Sequence, residues 1–279
     1  MGVFVTKANG YKQQFDRDKV IATCLRMGAT PEVAAQIAEK VERHLYEGIS
    51  TRQILQMIFR YLRSYKPAVK YRFDLRRALS LMEPKPEFET FMRVLLAHSG
   101  FEVEGNWILR GKCGEHEVDA IARKDGVTYF VEVKHHTSYH ALTGLDESRI
   151  AQAILEDVND AYEAGTLKLK VDQAMIVTNT RYSDHAIQYG GCKNIFQIGW
   201  GSPQGLGLRD MIEQGKLYPL SSLRGIRSDV KRRLVNAGIV LIKQLLKADG
   251  VELAKKTGLP REVAWDIIEK ARASVNSLY

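Results

Sequence analysis

Two carboxylates and a lysine near the middle of the chain have residue types and spacing that could bind a metal ion. The segment EVDAIARKDGVTYFVEVK contains two strand-like runs joined by Asp125 and Gly126. A two-residue hairpin at this dipeptide makes every opposed pair of residue numbers add up to 251. Asp119 then lies opposite Glu132, with β-carbons about 4.5 to 5.5 Å apart, and Lys134 projects from the same face.

Two carboxylates this close repel each other, so one takes up a proton unless a cation or strong donors keep both ionised. A hard divalent ion, Mg²⁺ or Mn²⁺, meets that need, since Mg²⁺ binds through one or two carboxylates and keeps several waters. Such an ion polarises a phosphoryl oxygen and acidifies a bound water. Lys134 would position the attacking water or offset charge on phosphorus. The same residues also fit an exposed hairpin with cross-strand ion pairs, in which Glu117 opposes Lys134.

Charge is distributed unevenly along the 279 residues, which carry a net charge of +8. Residues 1–83 contain 15 Lys and Arg against 8 Asp and Glu, residues 84–200 contain 12 against 17, and residues 201–279 contain 14 against 8. Basic ends favour an anionic partner such as nucleic acid or nucleotide, and the acidic middle suits a cation site. Solvated surface charge is the alternative interpretation.

Local patterns predict three domains, over residues 1–83, 84–200 and 208–279. The first segment opens with a hairpin at Asn9 and Gly10, and helices follow over residues 17–27, after a Thr30 cap with Pro31, after a cap at Ser50 or Thr51, and over residues 68–82. The sequence EPKP at residues 83–86 cannot continue a helix and predicts the first boundary.

The second segment has the order of a mixed α/β sheet with crossover connections. A helix with apolar residues at helical spacing opens it, from Phe88 to Leu96. We expect strands over residues 102–109, 117–122, 127–134, 174–178 and 194–198, with a helix over residues 147–164. Five glycines and prolines in GWGSPQGLG, residues 199–207, predict the second linker, and a basic helical segment follows.

The central segment resembles the PD-(D/E)XK nuclease superfamily, and most closely its Mrr-like restriction endonuclease branch. The resemblance rests on FETFMRVLLAHSGF, HEVDAIA, VEVK and MIVTNTRYSDHA. It implies a restriction-endonuclease-like fold and metal-dependent hydrolysis of DNA phosphodiesters. It also implies Asp119 and Glu132 as metal ligands, Lys134 as the catalytic lysine and Glu89 as a supporting acidic residue. Many relatives have a glycine where Val118 stands.

The first segment resembles the ATP-cone, a regulatory nucleotide-binding domain, through VTKANG, FDRDKV and EGISTRQI. That resemblance implies contacts to ATP or dATP from Val5, Lys7, Lys19 and Thr51. Lysines near a helix N-terminus suit phosphate, and the chain lacks a Walker A sequence, which favours regulation over motor activity. A fold kept for DNA binding or dimerisation, with a decayed nucleotide pocket, is the alternative.

The third segment resembles a tandem helix-hairpin-helix domain, with LRGI and TGLP as its two hairpins. Glycine at each hairpin lets backbone amides approach a DNA phosphate without reading sequence. The candidate DNA-binding residues are Arg224, Gly225, Arg227, Lys231 and Gly258. A protein-binding module is the alternative.

The sequence therefore predicts a three-domain, Mg²⁺-dependent or Mn²⁺-dependent DNA endonuclease under ATP or dATP control. A double-strand cut in one encounter needs two active sites, which favours a homodimer. Two alternatives remain: a non-catalytic nucleotide-responsive DNA-binding protein with a degenerate nuclease domain, and a deoxynucleotide-pool regulator that acts on protein. No run reaches the roughly 18 apolar residues of a membrane span, and no secretory signal opens the chain, so we expect a cytoplasmic location. A zinc site is a further alternative, from the spacings of Cys113 with His116 and His136 with His140.

Overall fold

A computed structural model describes residues 2–7, 10–27, 29–65, 75–223 and 225–276. It divides into two compact units, Met1–Phe73 with Arg272–Tyr279, and Asp74–Ala271. The three domain boundaries expected from the sequence remain predictions. Within the described part of the chain, no helix is long and apolar enough to cross a membrane.

Within residues 2–65, the described part of the first unit contains a small hairpin followed by three helices. Strands β1 (Phe4–Thr6) and β2 (Lys12–Gln14) pair antiparallel, and the helices are α1 (Arg17–Arg26), α2 (Pro31–Glu42) and α3 (Thr51–Tyr65). Asn9 of the predicted turn lies outside the described residues, as do residues 66–74, which hold the start of the fourth predicted helix.

The predicted helix caps of this unit are confirmed. Thr30 Oγ1 accepts a hydrogen bond from the Val33 amide with Pro31 at the first helical position, and Ser50 Oγ accepts one from the Gln53 amide. Each cap satisfies an amide that has no partner inside its helix. Apolar residues of the three helices and β1, among them Val5, form a buried core.

The second unit contains a five-stranded mixed sheet flanked by helices, as predicted. Its order is β3-β4-β5-β7-β9, antiparallel from β3 to β5 and parallel from β5 to β9. The elements are α4 (Leu75–Ser80), a π-helical turn (Pro84–Phe88), α5 (Glu89–His98), β3 (Glu102–Arg110), β4 (Glu115–Lys124), β5 (Val127–Lys134), β6 (Leu142–Thr143), α6 (Leu145–Glu163), β7 (Gln173–Thr178), β8 (Arg181–Tyr182), α7 (Asp184–Cys192) and β9 (Phe196–Ile198).

Helix α6 makes the crossover from β5 to the parallel strand β7 and covers the sheet. Its apolar stripe of Ala151, Leu155 and Val158 packs against the same core as Phe130 and Ile176 of the sheet. The apolar residues predicted to form one face of α5 are all fully buried: Phe88, Phe91, Met92, Leu95 and Leu96. The sheet is thereby held between helices, and the ends of β4 and β5 lie beside the start of α5.

The C-terminal part of this unit is helical. It consists of α8 (Leu208–Gly215), a 3₁₀ turn (Leu220–Ser222), α9 (Ser228–Asn236), α10 (Ile242–Leu246), α11 (Gly250–Thr257) and the residues up to Ala271 of α12 (Arg261–Asn276). Gly225 and Gly258 adopt left-handed backbone angles, φ 78° and 67°, at the turns that precede α9 and α12. Glycine adopts such angles without the strain that a Cβ would cause, which explains why it stands in both hairpins.

Candidate active site

The β4–β5 hairpin has the register that the sequence predicts. Asp125 and Gly126 have φ values of 51° and 79°, as a tight two-residue turn requires. The pairs run from Lys124↔Val127 to Ala120↔Val131. The ladder ends there, one pair before Asp119 and Glu132.

Asp119 lies where β4 leaves β5. Its Oδ2 accepts a hydrogen bond of 2.7 Å from the Val133 amide, which takes the place of the next ladder bond. The Arg93 guanidinium of α5 donates to the Asp119 carbonyl at 3.3 Å and to Asn106 Oδ1 at 2.9 Å. Asp119 is 8% exposed, and the Val133 amide holds its carboxylate where β4 and β5 separate.

Glu132 and Lys134, two residues apart on β5, form an ion pair on the same side of the strand. Lys134 Nζ lies 2.9 Å from Glu132 Oε1 and 3.0 Å from Glu147 Oε2, at the start of α6. Burial raises the pKa of Glu132, and the negative charge of Asp119 raises it further, although Lys134 opposes both effects. Burial alone would lower the pKa of Lys134, but its bonds to the two glutamates raise it, so its ammonium stays charged. The predicted trio of Asp119, Glu132 and Lys134 is therefore in one neighbourhood.

Glu89 joins this neighbourhood from the first turn of α5. It is 6% exposed, and burial raises its pKa, with the adjacent Asp119 carboxylate adding to the shift. Lys85 Nζ lies 3.0 Å from Glu89 Oε1 and 3.5 Å from Asp119 Oδ1. Among the described residues, five carboxylates therefore lie within 4.0 Å of two ammonium groups where β4 and β5 separate: Glu89, Glu117 and Asp119 near Lys85, and Glu132 and Glu147 near Lys134.

This donor set suits a divalent cation. Among the residues that the structure describes, no group of three or more His, Cys, Asp or Glu side chains is arranged to hold a metal ion. Mg²⁺ needs only one or two carboxylates and completes its shell with water and phosphate oxygens. Asp119 and Glu132 supply that minimum, and burial, the main cause of the raised pKa of Glu132, is a cost that a bound cation would offset.

Sequence reasoning was wrong about Glu117 and missed three residues. Glu117 pairs with Ile108 on β3, and its carboxylate lies 3.9 Å from Lys85 rather than opposite Lys134, because β4 and β5 are no longer paired there. Lys85, Arg93 and Glu147 were not expected at the site. The four-residue spacing of Lys85 and Glu89 was an available signal, since such pairs meet on a helix, but the prolines around Lys85 indicated a linker.

The nucleotide residues expected in the first unit are partly brought together. Val5 is buried on β1, and Lys7 follows that strand with an exposed side chain. Thr6 bridges Ser50, and its amide donates to the Ile49 carbonyl at 2.9 Å, so the end of β1 lies beside Thr51, the first residue of α3. A strand end beside a helix N-terminus is a suitable place for phosphate.

Lys19 is the fourth residue of the nucleotide prediction. It lies in the first turn of α1, where its ammonium is 3.1 Å from Asp16, the N-cap of that helix. The hydrogen bonds from Lys19 lower the pKa of Asp16. Lys19 therefore presents a paired, exposed ammonium, and its contact with nucleotide remains a prediction.

Basic side chains of α12 and α9 bind the carbonyls of Gly225 and Gly258. Lys270 of α12 donates to the Gly225 carbonyl at 3.3 Å, and Arg233 of α9 donates to the Gly258 carbonyl at 2.7 Å. A cavity of about 340 Å³ opens beside them and is lined by Arg227 and Gly258. Two members of the predicted DNA-binding set thus line one cavity, whereas Arg224 lies outside the described residues.

Lys231, predicted to contact DNA, is directed at the segment just before α5 instead of open solvent. Its ammonium lies 2.8 Å from Glu87 Oε2 and 3.5 Å from the Leu81 carbonyl. Glu87 is 1% exposed. In this structure the charge of Lys231 therefore compensates a buried carboxylate next to the candidate site.

The histidine and cysteine spacings do not form a zinc site among the described residues. His116 Nε2 lies 2.7 Å from Asp157 Oδ2, and the Cys113 amide donates to Asp157 Oδ1, which ties the β3–β4 turn to α6. These hydrogen bonds, chiefly that from His116, lower the pKa of Asp157 to about 2. His136 Nε2 lies 3.1 Å from Thr143 Oγ1, with which it forms a hydrogen bond.

Comparison with known families finds matches to three segments of the chain. Residues 80–198 match a family described as restriction endonuclease, Mrr_cat. Residues 3–81 match the ATP cone domain, and residues 218–273 match the AF1548-like C-terminal domain. The fold and these matches define the class: a protein with a restriction-endonuclease-like central domain, an N-terminal ATP-cone and a helical C-terminus. The helix-hairpin-helix nature of that C-terminus remains a prediction.

Similar proteins identify the family to which the chain belongs. An uncharacterised protein of Archaeoglobus fulgidus is 35% identical over 181 residues, which span 65% of this chain and 98% of that protein. A second uncharacterised protein of the same organism is 41% identical over 39 residues, or 14% of this chain and 83% of that protein. The crystal structure of AF1548, a protein of unknown function, superposes with a TM-score of 0.58 at 34% identity and covers 66% of this chain and 94% of that one. The chain belongs to the AF1548-like family.

Proposed function

We propose that this protein is a metal-dependent DNA endonuclease whose phosphodiester hydrolysis is regulated by ATP or dATP. The observation that carries the proposal is the meeting of Asp119, Glu132 and Lys134 at one end of the hairpin, within the residues that match a restriction endonuclease family. Acidic side chains that burial leaves with raised pKa values are typical of functional sites.

In the proposed mechanism, Asp119 and Glu132 hold Mg²⁺ or Mn²⁺. When bound, the cation supplies the positive charge that polarises a phosphoryl oxygen and lowers the pKa of water. The Val133 amide keeps the Asp119 carboxylate facing the site, which spares the cost of ordering it during the reaction. Glu147 keeps the Lys134 ammonium charged and aimed at the same place.

Lys134 acts on the substrate in this proposal. Its ammonium positions the attacking water and offsets the negative charge that develops on the phosphoryl oxygens. The products would carry a 5′-phosphate and a 3′-hydroxyl. Glu89 supports the acidic cluster, while the hairpins at Gly225 and Gly258, with Arg227, would hold DNA through its backbone phosphates. A homodimer would place two such sites on one duplex.

A second candidate is a nucleotide-responsive DNA-binding protein without catalysis. The specific observation in its favour is that Lys85 and Lys134 already pair with the carboxylates of the site. A site of this kind can persist as an ordinary ion-pair network. Both candidates predict salt-sensitive DNA binding, so cleavage separates them.

The test is nicking of supercoiled plasmid by the full-length chain in Mg²⁺ and in Mn²⁺. We expect cleavage that falls by about 100-fold or more in Glu132→Gln and in Lys134→Met, because each removes a group that acts on the transition state. Glu163→Gln, an exposed glutamate on α6, is the matched control and should cleave as the unmodified chain does.

DNA binding by the same variants, measured by fluorescence anisotropy, should be retained. Cleavage that survives Glu132→Gln would place the chemistry elsewhere. Complete absence of cleavage in either metal, with and without nucleotide, would favour the non-catalytic candidate.

A further inference from the structure

Lys85 lies among carboxylates that come from separate elements. Its ammonium is 3.0 Å from Glu89 of α5, and 3.5 Å from Asp119 and 3.9 Å from Glu117, both of β4. Its side chain is 64% exposed, so the stem is not packed into the core. The hydrogen bond to Glu89 is the main reason for its raised pKa, and the nearby carboxylates add to it.

The backbone that carries Lys85 is anchored from the opposite side. Two residues later in the same turn, Glu87 is buried, and its Oε2 binds both Lys231 Nζ at 2.8 Å and the Glu83 amide at 2.9 Å. Within one short turn, the Glu87 carboxylate is therefore directed at Lys231 of α9, and the Lys85 ammonium is directed at the carboxylates of α5 and β4. The anchored backbone places Lys85 beside Asp119, while its exposed side chain keeps the ammonium in contact with solvent.

Charge explains why an ammonium is held there. Glu89 and Asp119 are both nearly buried and close enough to raise the pKa of Glu89. Two adjacent carboxylates need a cation to stay ionised. An ammonium on an exposed stem can move into solvent when a divalent cation takes its place, because the lysine side chain loses no packing when it moves.

We infer that Lys85 is an internal counter-ion of the candidate metal site: its ammonium holds Asp119 and Glu89 while no divalent cation is bound, and a divalent cation displaces it. The inference rests on the proposed function, because it presupposes that Asp119 is a metal ligand. Lys85 then sets the concentration of divalent cation at which the site fills.

The first test measures Mn²⁺ binding to the full-length chain by electron paramagnetic resonance, without DNA or turnover. Lys85→Met should bind Mn²⁺ about tenfold more tightly than the unmodified chain, because the competing charge is gone. Lys168→Met, an exposed lysine of the same unit, is the matched control and should leave affinity unchanged. Glu132→Gln should weaken binding.

The outcomes separate the two proposals. Equal Mn²⁺ affinity in Lys85→Met and the unmodified chain, with weaker binding in Glu132→Gln, would overturn the counter-ion role and leave the metal site standing. Loss of cleavage in Lys85→Met at unchanged Mn²⁺ affinity would also overturn it and give Lys85 a role toward DNA. No Mn²⁺ binding in any variant would overturn both proposals.

A second test uses the unmodified chain and so does not depend on the folding of a variant. Lys85 is labelled with an amine-reactive acetylating reagent, with and without Mg²⁺, and quantified by mass spectrometry. Displacement from the carboxylates should increase its labelling severalfold, while Lys168 serves as the internal reference. Labelling of Lys85 that Mg²⁺ leaves unchanged would overturn the inference.

Discussion

At the scale of single residues, the chemistry of the candidate site follows from how burial and charge act on each group. Glu132 and Glu89 are acids that burial makes weaker, whereas Lys134 is a base that its glutamate partners keep charged. Additional positive charge beside the two glutamates would favour their ionised forms. A divalent cation and the Lys85 ammonium can each supply that charge.

His135 gives a pH dependence that can be measured without any ligand. Its Nε2 donates to the Leu79 carbonyl at 2.9 Å, its ring lies 4.8 Å edge-on from that of Phe88, and burial lowers its pKa. The unfolded chain therefore binds a proton more readily than the folded one. As pH falls from the unfolded value of 6.5 towards the lowered folded value, stability should decrease.

We expect His135→Gln to lose less stability than the unmodified chain between pH 7.5 and pH 5.5, measured by urea unfolding. The glutamine amide can donate to the same carbonyl but does not titrate. Burial also lowers the pKa of His136, so His136 will contribute part of the pH dependence of stability in both proteins. Identical pH slopes in the two proteins would show that His135 does not titrate differently on folding.

At the scale of elements, the turn Pro84–Phe88 connects the helical C-terminal part to the sheet. Glu87 is directed at Lys231 of α9 and Lys85 at Asp119 of β4. The sequence predicted only a domain boundary at these prolines. The segment that contains them instead contacts α9 through Glu87 and β4 through Lys85.

Lys231→Met should destabilise the second unit by about 3 kcal/mol, because it leaves the buried carboxylate of Glu87 without a counter-ion. Arg232→Met, one position along the same helix and exposed, should change stability by less than about 0.5 kcal/mol. Urea unfolding followed by tryptophan fluorescence measures both.

A double-mutant cycle checks the source of the effect. Adding Glu87→Gln to Lys231→Met should recover part of the lost stability, because the neutral amide costs less to bury than an unpaired carboxylate. Additive losses in the double variant would show that the two side chains do not interact.

At the scale of the whole molecule, the sign of the net charge changes between the three segments that match known families. The acidic middle of the chain holds the candidate metal site, and the basic ends correspond to an ATP cone domain and an AF1548-like C-terminal domain. Positive charge at the ends raises the local concentration of anionic partners.

Nucleotide binding is the prediction that belongs to this scale. Full-length protein should bind ATP or dATP in isothermal titration calorimetry, and Lys7→Ala should weaken binding about tenfold through loss of one charge-assisted phosphate contact. Lys12→Ala, on the neighbouring strand of the same hairpin, is the control and should bind normally. Saturating nucleotide should also change the rate of plasmid cleavage. Absence of calorimetric binding would indicate that the nucleotide pocket has decayed.

The sequence by itself determined those features that depend on neighbouring residues. The register of β4 and β5 follows from the two-residue turn at Asp125 and Gly126, and Thr30 and Ser50 cap their helices through amides three positions away. Helical spacing also identified the buried face of α5. These features could be predicted because backbone geometry and periodicity are local.

Only the tertiary structure decided how charges from distant segments meet. Lys85 and Asp119 are 34 residues apart, and Lys231 and Glu87 are 144 residues apart, so no local pattern couples them. Arg93 of α5 likewise meets the Asp119 carbonyl 26 residues further along the chain. Electrostatic pairing acts through space, and the partner of each charge is set by packing of the helices on the sheet rather than by position along the chain.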